Sequence, residues 1–96
     1  MYYVSLYTVA DASLIRSVYP RHRAYVDEFA AGGGISQIGI FGNPVDEGAM
    51  CVFRTRGAAD AFLAGDPFVT EGVVSPSPVR EWDPLEYTSD GARIGG

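Results

Sequence analysis

The chain has 96 residues, 47% hydrophobic and 20% charged, with twelve acidic residues against seven arginines and no lysine. Folded-surface scaling leaves roughly 5,400 Å² exposed, about a third of the unfolded chain's surface, which allows one domain with a small core. A net charge of −5 provides no basic excess for phosphate binding, so no nucleic-acid partner is expected. No apolar run approaches about 18 residues, so no membrane span is expected. No basic stretch precedes an apolar one at the N-terminus, so no secretory leader is read and a cytoplasmic location is expected. The single cysteine, Cys51, excludes an internal disulfide and any multi-cysteine metal site.

Tyr2 to Val9 is rich in β-branched and aromatic residues and predicts a strand whose two faces are both largely apolar. After a turn at Ala10–Ala12, Leu14, Ile15, Val18, His22, Tyr25, Val26 and Phe29 recur at helical spacing. Pro20 predicts that the main helix starts there and runs to Ala31, with only a helical turn or loop before it. Gly32–Gly34 ends it, the first glycine being the expected left-handed cap. Ile35–Phe41 and Ala49–Arg54 read as a hairpin around a polar turn, the second strand buried on both faces. Thr55 caps a helix from Arg56 to Ala64, Asp66-Pro67-Phe68 opens a short helical segment, and Val73–Trp82 is the last strand. Pro76 and Pro78 place that strand at a sheet edge. Residues 1–82 thus form the domain, and residues 83–96 a tail without a core pattern, mobile or packed on a partner.

The order βαββαβ is the ferredoxin-like α+β plan: a four-stranded antiparallel sheet with both helices on one face. Two helices cover one face only. The other carries about half of the strands' apolar residues, so a homodimer with sheets face to face is expected.

His22 is the only histidine and shares its helix face with Val18, Tyr25, Val26 and Phe29, which aims it at the sheet. Two readings stay open: a core imidazole bonded to a backbone carbonyl, or an acid/base group. Asp66 before Pro67 is an N-cap, yet one carboxylate oxygen can cap while the other reaches a second partner. Phe68 reads as a core or pocket-wall residue. Arg16, Arg21 and Arg23, followed by Asp27 and Glu28, read as a solvated face of mixed charge. Cys51 reads as filler, the glycine triplet follows a helix and so matches no dinucleotide fingerprint, and no ligand spacing supports a metal.

The histidine in the first helix, the glycine-terminated helix, and Ala64-Gly65-Asp66-Pro67-Phe68 ahead of Gly72 and a strand ending at Trp82 resemble the YciI-related (YCII) proteins. The resemblance covers about residues 1–82 and implies a dimeric α+β barrel with His22 and Asp66 as a catalytic dyad in a pocket of each subunit. Tyr7 and Phe68 are the candidate substrate-binding residues. The chain departs from that pattern at Tyr19, where the family often has arginine, and at Asn43, inserted in the hairpin's Gly-Pro opening. The expected activity is proton transfer of isomerase or lyase type on a small organic acid or aromatic metabolite, with no cofactor and no metal. The alternatives are a non-catalytic dimeric module binding a small metabolite, and a structural dimer whose dyad is a buried hydrogen bond.

Overall fold

A computed structural model describes residues 1–95. The first strand, β1 (Tyr2–Val9), lies at the centre of the sheet, as its two apolar faces require. It pairs antiparallel with β3 (Ala49–Phe53), which pairs in turn with β2 (Ile35–Ile40). On its other side lie β4 (Val74–Pro76) and β5 (Arg80–Trp82). The order β2-β3-β1-β4 is that of the ferredoxin-like plan, and the proline-bearing segment does occupy an edge.

The last strand is broken, where a continuous one was expected. Tyr7 faces Pro76 and Val4 faces Arg80, so two β1 residues oppose three, Ser77 to Val79. Pro78 lacks a ladder donor, and the extra residue bulges. Ser77 fills the gap: its N–H donates to the Leu6 carbonyl at 2.7 Å and its hydroxyl oxygen accepts from the Leu6 N–H at 2.8 Å. The wholly buried Ser5 hydroxyl donates to the Ser77 carbonyl at 2.8 Å.

Helix α1 spans Ile15–Ala31 and contains Pro20 in its second turn. The expected start at Pro20 is therefore corrected. Pro20 and Arg16, whose carbonyl loses a partner, both lie on the exposed side, where water satisfies the oxygen and the ring meets no neighbour. A 3₁₀ turn at Ala12–Leu14, capped by Asp11, precedes the helix. At its end Gly33, not Gly32, takes the left-handed conformation, at φ 84°. Between β2 and β3, Pro44–Glu47 (α2) forms one helical turn capped by Asn43. Helix α3 (Arg56–Gly65) is capped by the Thr55 hydroxyl, and Pro67–Thr70 (α4) follows immediately.

Helices α1 and α3 cover the face of the sheet that carries Tyr7, Cys51 and Phe53. Val18, Val26, Ile35, Ala59, Phe62, Val73 and Val74 complete that core. Phe62 is its centre, wholly buried with Phe53, Phe29 and Tyr25 rings 5.1–5.2 Å away. On the opposite face Val52 is only 2% exposed, Tyr2, Val4, Leu6 and Met50 are half-buried and Trp82 is 46% exposed, and none of these joins the core. The tail forms a two-stranded hairpin, Glu86–Tyr87 (β6) with Arg93–Ile94 (β7). Its Leu85, Tyr87 and Ile94 are more than half exposed. The total surface of 5976 Å² exceeds the scaling value, and the 14.2 Å radius of gyration exceeds the roughly 12.5 Å of a compact chain this long.

Gly48 closes the α2 turn at φ 79°, ψ −149°, and a Cβ there would lie 1.9 Å from the Tyr7 carbonyl oxygen. Backbone contact and a conformation reserved for glycine thus coincide where α2 meets β1. Gly48→Ala is expected to destabilise the fold by at least about 2 kcal/mol, read as a lower urea midpoint at unchanged slope.

Candidate active site

Helical phase determines one half of the site. Val18, His22 and Val26 succeed one another at four-residue steps and are the buried residues of α1, so the imidazole faces the sheet. The other half is a junction. Asp66 ends α3, with its N–H donating to the Phe62 carbonyl, and at φ −63°, ψ 121° it turns the chain into α4. Its side chain accepts from the Phe68 N–H at 3.1 Å, which is the N-cap expected from Asp-Pro-Phe. Tyr25 holds this junction against α1: its hydroxyl donates to the carbonyls of Phe62 and Ala61, at 3.0 and 3.3 Å. A Cβ on Gly65 would lie 2.6 Å from that hydroxyl, so only glycine admits the contact one residue before Asp66.

The two halves meet. His22 Nδ1 lies 2.7 Å from Asp66 Oδ1. The imidazole partner is therefore a carboxylate, and the reading of a histidine bonded to a backbone carbonyl is set aside. Asp66 is wholly buried, and its Oδ2 accepts from the Tyr7 hydroxyl at 2.5 Å. Three donors on one carboxylate leave no unbonded polar side-chain atom buried among the described residues. Burial first, then the neighbouring Cys51 and Asp66, holds the Tyr7 phenol far above its usual range, so it remains a donor. Burial likewise pushes the Cys51 thiol up to about 12, consistent with its reading as filler.

His22, with the buried Asp66 behind it, borders a cavity of about 580 Å³ between α1, α4 and the hairpin carrying α2. Phe68 stacks on the His22 ring at 4.0 Å and 4°, and the Tyr19 ring lies 6.0 Å from His22 and 6.3 Å from Phe68. Ile38, Ile40, Val26 and Val74 add apolar wall, and Arg23, Asp27 and Tyr19 bring polar groups to it. The His22 side chain is 11% exposed, and no protein group among the described residues bonds its Nε2. With Nδ1 donating to Asp66, that nitrogen has its lone pair free toward the cavity. A broader hollow of about 760 Å³ beside Gly32–Gly34, Arg54 and Thr55 contains neither dyad residue. Among the described residues no group of three or more His, Cys, Asp or Glu could hold a metal ion. No helix among the described residues is long and apolar enough to cross a membrane.

His22, Asp66 and Phe68 thus come together. Tyr7 also lines the cavity, but it is only 4% exposed and its hydroxyl is engaged by Asp66, which makes it a support of the carboxylate. Inward alternation along β1 signals only that the hydroxyl needs some partner, not that the partner is Asp66. Tyr19, Arg23 and Asp27 were not anticipated as cavity residues, because reading them on a mixed-charge face says nothing of what lies beside that face. Arg21 does not reach the cavity; it forms a two-pronged pair with Glu71 that ties α1 to α4.

No family model and no curated protein sequence matches the chain. Its fold is similar to that of 5-chloro-2-hydroxyhydroquinone dehydrochlorinase (TftG) from Burkholderia phenoliruptrix AC1100, solved in complex with 2,5-dihydroxybenzoquinone. The TM-score is 0.65 at 20% identity, over 95% of this chain and 99% of that one. The likeness at that identity is one of fold.

In the neutral imidazole, ¹⁵N NMR is expected to find the proton on Nδ1 and none on Nε2; a proton on Nε2 would refute the arrangement. Tyr7→Phe should preserve that tautomer, yet cost about 1–3 kcal/mol in thermal or urea unfolding, because Oδ2 loses a buried donor.

Proposed function

We propose that this chain is a cofactor-independent enzyme of YciI-related type, catalysing an elimination or isomerisation on a small aromatic or unsaturated metabolite in the cytoplasm. The observation that supports the reading is the His22–Asp66 pair at 2.7 Å beside a cavity into which Nε2 is unengaged. Nε2 takes a proton from a carbon of the ligand, and the C–H electron pair becomes part of a new double bond. In an elimination a leaving group departs with its own pair; in an isomerisation His22 returns the proton to another carbon. Asp66 holds the Nδ1–H tautomer and stabilises the imidazolium during the transfer. Phe68 and Tyr19 provide a flat apolar wall suited to a ring, and Tyr7 is a positioning residue that acts through Asp66. The fold neighbour is a dehydrochlorinase and its bound ligand is a dihydroxybenzoquinone, which agrees with this chemical class.

The active assembly is a homodimer closed over the free sheet face, giving the two-sheet barrel. The support is the row of Tyr2, Val4, Leu6, Met50 and Trp82 outside the core, with Leu85, Tyr87 and Ile94 of the following tail also exposed. Light scattering at micromolar concentration should give about twice the 10.3 kDa chain mass; a monomer throughout that range would defeat the dimer.

Catalysis is tested by incubating the protein in D₂O with hydroxyquinones, hydroxybenzoates and short unsaturated acids, 2,5-dihydroxybenzoquinone among them. Mass spectrometry should detect protein-dependent deuterium incorporation at carbon or loss of a leaving group, falling at least 100-fold in His22→Gln. Binding that perturbs the His22 ring without any exchange would favour the alternative, a non-catalytic metabolite-binding module.

A further inference from the structure

The polar groups around the cavity are unevenly placed. Ile15, Val26, Ile38, Ile40, Phe68 and Val74 make most of its wall apolar. The Tyr7 hydroxyl is spent on Asp66. Among the described residues that line the cavity, Arg23 and Asp27 are the charged pair and Arg23 is the one arginine. Arg23 Nε donates to both Asp27 oxygens, at 3.2 and 3.3 Å, and its terminal nitrogen to the Tyr19 hydroxyl at 3.5 Å. The Arg23 and Asp27 side chains are 62% and 64% exposed. A pair this exposed is weakly held, because water screens it and two long side chains must be ordered to make it.

We infer that Arg23 is the specificity-determining residue of the site, binding an anionic oxygen group of the ligand in exchange for Asp27. The inference rests on the proton-transfer reading for its site and narrows the ligand to planar acids, carboxylates or phenolates. Arg23 engages Asp27 through Nε alone, so an oxyanion entering from the cavity meets the planar guanidinium fork with the Tyr19 hydroxyl beside it, and a two-pronged charge-assisted bond there competes with the single-nitrogen contact to Asp27. His22 and Arg23 both line this cavity, so the base and the cation are offered to one ligand. With no acid bound, Asp27 neutralises Arg23 and the arginine is not left unpaired beside an apolar cavity.

Benzoate and benzamide have the same shape and differ in charge, so they are the probes, titrated at low salt into the ¹⁵N-labelled full chain. Benzoate is expected to bind at least about tenfold more tightly than benzamide, with shifts centred on Tyr19, His22 and Arg23. Arg23→Gln should bring the two affinities within about twofold by weakening benzoate alone. Asp27→Asn, which removes the competing carboxylate, should tighten benzoate severalfold, and added salt should weaken benzoate and not benzamide. Equal binding of the two probes, a preference that survives Arg23→Gln, or no benzoate binding at millimolar concentration would overturn the assignment. An intact benzoate preference with no His22-dependent deuterium exchange rejects the proton-transfer reading and leaves Arg23 in its role. Exchange without any acid preference does the reverse.

Discussion

A carboxylate with no access to water is the costliest group in this molecule, and the functional half of the fold is arranged around satisfying it. Asp66 is wholly buried and bonded by an imidazole from α1, a phenol from β1 and a backbone N–H from α4. Removing one partner leaves a buried acceptor unsatisfied, which costs more than the bond contributes when made. The three bonds therefore lock three elements in one geometry. Tyr25 above Gly65, and the Arg21–Glu71 pair across α1 and α4, hold the same junction from outside. What this bracing achieves is an imidazole with one nitrogen fixed and the other open to a cavity.

The second constraint is the two-sided central strand. Alternation along β1 sends Tyr3, Ser5 and Tyr7 toward the helices and Tyr2, Val4 and Leu6 to the bare face. One strand thus serves the dyad on one side and offers an apolar surface on the other. A partner docking on the bare face would leave the cavity clear, because the cavity opens among α1, α4 and the β2–β3 hairpin on the helix side. The proposed closure of the barrel and access of a ligand are then compatible, and the tail that follows Trp82 adds Leu85, Tyr87 and Ile94 to the exposed apolar surface.

Local pattern decided much of this architecture. The β-branched and aromatic run of Tyr2–Val9, the helical stripe through Val18, His22 and Val26, and Thr55 and Asp66 as caps each act within a few residues, so periodicity and capping chemistry expose them. The aim of His22 at the sheet and the capping role of Asp66 follow in the same way. Pro20 misled because its cost depends on whether the orphaned carbonyl reaches water, a matter of helix orientation. The break at Ser77–Val79 depends on a register with β1 that the segment itself does not encode.

What tertiary structure alone decided is which groups meet across long separations. Nothing local distinguishes a tyrosine that lines a pocket from one that holds a buried carboxylate 59 positions away, as Tyr7 does. Nor does Arg23, paired with Asp27 one turn along a helix, reveal that a cavity lies beside it. By itself the sequence determined the elements, their order and the inward direction of His22, because those depend on near neighbours and on the burial of apolar surface. The 2.7 Å approach of His22 to Asp66, the hydroxyl that braces it and the polar pair at the cavity had to wait for folding, since each depends on how separate elements pack at ångström range.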